Sequence, residues 1–182
     1  MRAIIIADDD SKVGHLPADT DSAELLISLG DLWDQSIEKA RQLCDCKKVF
    51  AVRGNHDTAA PFQEPIVDLH LTVETYHGIS FGGFGGSWKY KPRGHHLFEQ
   101  WEVDTAMAVF PKVDVFIAHN SPRGIHERDG DVHQGFDRFL TYIARAKPKY
   151  FLHGHQHLSQ ETTVGNTNVI GIFGETELQL EV

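Results

Sequence analysis

The stretch Tyr150-Phe151-Leu152-His153-Gly154-His155-Gln156-His157 decides how this sequence is read. An apolar run stops at a glycine, and two imidazoles follow two residues apart. If residues 150–152 form a strand and the chain turns at Gly154, His155 and His157 leave the loop on one side, because alternate positions lie together. Two imidazoles aimed at one point usually mean a metal. The same pattern recurs upstream, where strand-like segments end in Asp8 and Asp10, in Gly30-Asp31, in Gly54-Asn55-His56-Asp57 and in His119. Taken singly, each is a surface His or a turn-forming Asp. Five such loops, each after an apolar run, are not explained that way.

Residues 3–7 are short, continuous and β-branched at their centre, as suits a strand buried on both faces. They end at Asp8-Asp9-Asp10, three carboxylates that repel one another unless cations or solvent relieve them. Residues 11–22 are polar, carry Gly14 and Pro17, and read as loop. Strands are expected at 24–29, 48–52, 66–73 and 113–118, and helices at 35–44, 98–110 and 136–146. Asp34 is a candidate N-cap for the first helix. Tyr76-His77-Gly78-Ile79 reads as a hairpin turn, whereas Gly82-Gly83-Phe84-Gly85-Gly86 reads as a flexible loop. No helical pattern follows that glycine run, so it is not a dinucleotide fingerprint. After the two-histidine loop, segments 161–164, 168–173 and 177–182 read as a closing antiparallel meander. Strands alternating with helices, then hairpins, predict an α/β sandwich with ligands gathered at the carboxyl ends of strands.

Composition sets the bounds. The chain has 182 residues, expected to form one domain over 1–182, and is 41% hydrophobic and 24% charged, as ordinary globular proteins are. No run approaches a membrane span and no secretory leader precedes the first strand, so a cytoplasmic location without membrane contact is expected. The formal net charge of -9 argues against broad electrostatic capture of nucleic acid, although a small local basic patch escapes such a count. Cys44 and Cys46 flank Asp45 too closely for a structural disulfide to be expected, and they read as reduced thiols at a helix end.

Asp8-x-Asp10, Gly30-Asp31, Gly54-Asn55-His56-Asp57, His119 and Gly154-His155-Gln156-His157, in that order and in those strand contexts, resemble the signature of the calcineurin-like metallophosphoesterases. The blocks run through most of the chain. The resemblance implies a four-layer α-β-β-α sandwich of mixed sheets and a dinuclear metal-dependent phosphoric ester hydrolase, a phosphatase or phosphodiesterase. By position it implies Asp8, Asp10 and His157 at a first metal, Asn55, His119 and His155 at a second, and Asp31 bridging both. It gives His56 as general acid and Asp34 as the residue that orients it. The chemistry suits such a set: a carboxylate can serve two cations, neutral Asn and His preserve positive charge for an anionic substrate, and two metals about 3.5–4 Å apart can clamp a phosphoryl group and acidify a shared water.

Relatives mostly carry His where this chain has Asp10. The harder carboxylate predicts a looser first site and a preference for manganese, with iron, magnesium or zinc as alternatives. His15 in the following loop is a candidate replacement imidazole, and little room remains between Asp10 and Asp31 for the helix usual in the family. The substrate is expected to be a phosphorylated molecule whose identity the sequence leaves open. Arg123 and His133 are candidate phosphate contacts, and Trp88, Lys89 and Tyr90 could stack on or cover a substrate. The competing readings are a scaffold that keeps this fold as a binding surface and a module holding a single metal.

Overall fold

The computed structural model describes residues 1–15 and 23–181. Its first strand, β1 (Arg2–Ala7), is buried along almost its whole length. Ile4 and Ile6 face one layer while Ala3, Ile5 and Ala7 face another, which is why the run is apolar at every position. Parallel neighbours follow: β2 (Leu25–Ser28), β3 (Lys48–Ala51) and β4 (Ile66–Asp68). Helix α1 (Asp34–Leu43) crosses between β2 and β3 and packs Ile37 and Ala40 against Ile4, Ile6, Leu26 and Val49.

A second sheet begins with the hairpin of β5 (Val73–Tyr76) and β6 (Ile79–Phe84), turned through His77 and Gly78, both at positive φ as a tight primed hairpin turn requires. A two-stranded parallel ribbon follows, β7 (Ser87–Trp88) with β8 (Leu97–Phe98). Next come α2 (Gln100–Met107), opened by a Glu99/Glu102 capping box, and β9 (Val115–Ala118). Helix α3 (Asp137–Ala146) and β10 (Tyr150–His153) precede the last strands, β11 (Gln160–Val164), β12 (Thr167–Gly171) and β13 (Gly174–Gln179). The sheet orders are β13-β1-β2-β3-β4 and β11-β12-β10-β9-β6-β5. Ile5, Ile27, Phe50, Ile117 and Leu152 fill the space between the sheets, and Phe116, Phe139, Tyr142 and Phe151 join the second sheet to α2 and α3. The layers are therefore helix, sheet, sheet and helix pair, as the resemblance implies.

Several local expectations are corrected. The glycine run is not a loop at its start: Gly82 and Gly83 lie inside β6, where a Cβ would come within 2.8 Å of the Phe110 ring and 2.7 Å of the Ile117 carbonyl, so close packing selects them. The segment 66–73 is two strands in different sheets, broken where Leu71 turns to φ 56°. The closing meander also divides, since β12 pairs with β11 and β10, while β13 crosses to run antiparallel to β1. Residues 11–22 begin with a short 3-10 turn, Asp10–Lys12, and 16–22 lie outside the described residues. Trp33, not Asp34, caps α1. Cys44 and Cys46 form a disulfide, because Asp45 at φ 49° folds the chain back to a Cα–Cα separation of 5.2 Å, within the reach of such a bond.

Candidate metal centre

Five of the parallel strands deliver the residues singled out above at their carboxyl ends. Asp8 follows β1, Asp31 follows β2, Asn55 and His56 follow β3, His119 follows β9 and His155 follows β10. Asp8, Asp31, His155 and His157 sit at φ 66°, 56°, 65° and 50°. That left-handed region is costly for residues with a Cβ, and its use by Asp8, Asp31 and His155 at one site marks a place where position outweighs backbone comfort.

Among the described residues, ligand atoms of Asp8, Asp31 and His119 lie within 4.8 Å of one another. His119 is fully buried and its Nδ1 contacts the Leu29 carbonyl at 2.8 Å. Donation from Nδ1–H fixes the tautomer and leaves Nε2 as a lone-pair donor, the arrangement a metal-binding imidazole takes. Nε2 faces Asn55 Oδ1 at 3.0 Å and Asp31 Oδ2 at 3.5 Å. Three acceptors meeting in a buried space need a cation among them, either a proton or a metal. Burial alone would lower the His119 pKa, but the Asp31 and Asp8 carboxylates raise it to about 9. Asp8 is pushed up to about 7 by burial, against the pull of His119. For Asp31 burial also pushes upward, but the charge and hydrogen bond of His119 and the His56 N–H at 2.8 Å hold it well below the carboxylate range. The donor set therefore fits a divalent cation.

Asn55 is held from its other side, with Nδ2 donating to the Tyr90 hydroxyl at 3.3 Å. The His155 N–H donates to both Asp8 oxygens, at 3.1 and 2.9 Å, and its ring lies 5.0 Å from that of His119. Burial lowers the His155 pKa to about 3, so the ring is neutral and competent to bind a metal.

Asp10 and His157 stand apart from this group. Asp10 accepts the Trp33 N–H at 3.1 Å, and the exposed His157 stacks on Phe173 at 4.9 Å. His15 Nε2 bonds the Ser11 carbonyl at 2.8 Å. The His56 imidazole is exposed and lines a cleft of about 410 Å³, together with Asp10, Asp31, Trp33, Asp34 and Arg53. Asp34 grips Arg53 through both of its oxygens, at 2.6 and 3.2 Å, where it was expected to orient His56. Arg123 leans toward Glu127 at 3.8 Å, and the His133 ring lies 5.6 Å from that of His155.

Two contributors escaped the sequence reading. Arg53 is buried against Phe62, 3.5 Å from its ring centroid, and forms one wall of the cleft. Asp57 accepts the Gly54 N–H at 2.7 Å and the Asp31 N–H at 3.0 Å, tying the two loops together. Asp57 closes the block Gly54-Asn55-His56-Asp57 and Arg53 directly precedes it, but only long-range pairing shows their roles.

The double sheet carries a carboxylate–imidazole cluster at its strand ends, the arrangement of an α/β sandwich with a candidate metal site. The chain belongs to the calcineurin-like phosphoesterase superfamily, whose domain matches residues 1–173. Members of this superfamily use divalent metals. Among solved structures the chain is similar in fold to TT1561 of Thermus thermophilus, with 16% identity, 93% of this chain and 88% of that one covered, and a TM-score of 0.63. It is similar also to the phosphopantetheinyl hydrolase PptH from Mycobacterium tuberculosis, with 14% identity, coverage of 94% and 90%, and a TM-score of 0.57. Vps29 from Entamoeba histolytica complexed with zinc shares 12% identity over 96% of this chain and 74% of that one, with a TM-score of 0.51. No curated protein matches the sequence at a significant level. Among the described residues no helix is long and apolar enough to cross a membrane.

Proposed function

We propose that the protein is a divalent-metal-dependent phosphoesterase acting on a phosphomonoester or phosphodiester. The convergence of Asp8, Asp31, Asn55 and the tautomer-locked His119 in one buried space carries this reading. Asn55, His119 and His155 would hold one ion, Asp8, Asp10 and His157 the other, and Asp31 would serve both. The oxygen-rich first set favours manganese over zinc. Such ions supply Lewis acidity toward phosphoryl oxygens and an acidified water.

The chain's own groups do the rest. His56 is anchored through its N–H to Asp31, while its imidazole stays open to the cleft, where it can carry the proton for the leaving oxygen. The bidentate Arg53–Asp34 pair stiffens the wall on which the leaving group would rest, and the indole of Trp33 is 67% exposed at the same cleft. Asp57 fixes the spacing between Asp31 and His56 by taking one N–H from each loop.

The separation of Asp10 and His157 from the buried group favours one second reading, a weakly catalytic scaffold that holds a single ion. The experiment is metal analysis of purified protein, with hydrolysis of aryl phosphomonoesters and phosphodiesters after chelation and after reloading with manganese. Turnover that depends on added metal supports the enzyme. Equal turnover in stripped protein refutes the proposal, and bound metal without turnover supports the scaffold.

A further inference from the structure

Residues 87–98 enter the metal centre only through the Tyr90 contact with Asn55, yet the whole segment is built onto the site. The segment leaves the carboxyl end of β6, the parallel neighbour of the strand that delivers His119. Its ends are clamped together by the β7–β8 ribbon. At its root Gly86 donates its N–H to the Arg53 carbonyl at 2.7 Å. Gly86 sits at φ 83°, with the His96 carbonyl where a side chain would go. Farther along, His96 Nε2 donates to the Thr58 carbonyl at 2.8 Å, and the Tyr90 hydroxyl meets Asn55 at 3.3 Å. Three tethers thus hold the segment on the loop that carries Asn55 and His56.

Its charge opposes that of the chain. In a protein of formal net charge -9, this segment has Lys89, Lys91 and Arg93 and no acidic residue. Lys89 is paired with Glu99 at 3.5 Å. Lys91 Nζ lies 5.0 Å over the ring of Tyr90, the residue whose hydroxyl touches Asn55, and Arg93, two residues farther along the segment, is exposed. A basic loop is usually a solvated one, and solvated loops need no such tethering. Through Tyr90, Lys91 is also held close to a centre whose donor set fits divalent ions. Like charges gathered there repel unless an anion lies between them.

We propose that residues 87–98 form a bracket in which Lys91 and Arg93 hold a second anionic group of the substrate. Preferred substrates are then small phosphoesters that carry another phosphate or a carboxylate beyond the scissile group. This rests on the phosphoesterase reading.

The test compares kcat/KM of the manganese-loaded protein for propyl phosphate, propanediol bisphosphate and the phosphate ester of hydroxypropanoic acid. The doubly anionic substrates are favoured through KM, and the one favoured more identifies the anion. The Lys91→Ala, Arg93→Ala double variant lowers the preference ratio roughly tenfold, Lys91→Arg keeps it, and Lys112→Ala, a surface control, leaves it unchanged. Added salt erodes the preference. A ratio unmoved in the double variant, or no preference in a wild type that hydrolyses propyl phosphate, overturns the bracket. Stronger competition from a single-stranded oligonucleotide than from the bisphosphate overturns the small-molecule assignment. If none of these monoesters is hydrolysed, only the monoesterase form of the phosphoesterase reading has failed, and the whole reading has failed if aryl phosphodiesters are left intact as well. Calorimetric binding of methylenebisphosphonate then decides the bracket, with weaker binding by the double variant in support and equal binding against.

Discussion

Gly54 offers the cleanest separation of site geometry from fold. Its φ is one that any residue adopts, so alanine there costs nothing in backbone conformation. The difficulty is space, because a Cβ would overlap the Asp31 carboxylate and come within 2.6 Å of His119 Cε1. Both neighbours are candidate ligands, and His119 cannot retreat while its Nδ1 is tied to Leu29 and its ring is fully buried. Relief must come from a shift of Asp31 or of the loop after β3, on the order of the overlap itself. Overpacking of this kind costs about 1–3 kcal/mol of stability, while a displacement of about 1 Å in a reacting constellation costs on the order of 10²-fold in rate. Gly54→Ala is therefore expected to fold, to unfold at lower urea, and to lose most of its metal affinity and turnover. Gly78→Ala is the matched control: at φ 80° with open space around it, it carries a backbone cost of about 1 kcal/mol and no effect on metal. Denaturant melts with metal titration of both variants make the comparison. Wild-type metal affinity in Gly54→Ala would refute the tight Asp31–His119 spacing on which the site reading depends.

Two further outcomes are expected. His56→Ala loses roughly 10²–10⁴-fold in rate with metal content unchanged, and the loss shrinks for aryl esters whose leaving groups need little protonation; loss of a metal equivalent instead would make His56 a ligand. In chelated protein, the folded-state pKa of about 9 for His119 lies above its ordinary 6.5, so the stability this proton brings is complete below pH 6.5 and is lost as pH rises through 9. The difference is on the order of 3 kcal/mol, and urea midpoints across that window should fall without metal and flatten with manganese; a flat metal-free profile contradicts the buried cluster.

The loops of the centre were legible because each combines two local signals, an apolar run and a break at Gly, Asp or His. Strand type needs only the period of the side chains, which is why β1, β9 and β10 could be placed from their residues. Partner choice needs more. Nothing within residues 174–179 says that this strand pairs with β1 and not with β12, since that depends on which edge lies open when the sheets meet. Gly82 and Gly83 read as loop because local propensity disfavours them in strands, and only the closeness of Phe110 and Ile117 reverses that. Asp34 looked like a cap because it precedes an amphipathic helix, whereas its partner lies 19 residues away at Arg53. Asp10 and His157 were assigned by motif position, which says nothing of side-chain direction. In the fold Asp10 turns to the Trp33 N–H and His157 to the Phe173 ring.

The tethers of the centre cross from one sheet to the other. Asp8 ends a strand of the first sheet, but the N–H that grips its carboxylate belongs to His155, at the end of a strand of the second. His119 ends a strand of the second sheet, yet its tautomer is set by the carbonyl of Leu29 after β2 of the first. The Gly86 N–H reaches from the second sheet to Arg53 after β3 of the first. No half of the molecule therefore contains a formed site, and the buried charges of Asp8, Asp31 and His119 tax the same inter-sheet contact that Ile5, Ile27, Ile117 and Leu152 stabilise. A cation bound there relieves that cost only when both sheets are together. Its binding free energy then adds directly to the stability of the sandwich, by RT ln(1 + [L]/Kd). The apolar contacts that hold the sheets together are thus what bring the candidate ligands to one point, and a bound cation returns stability to that same interface.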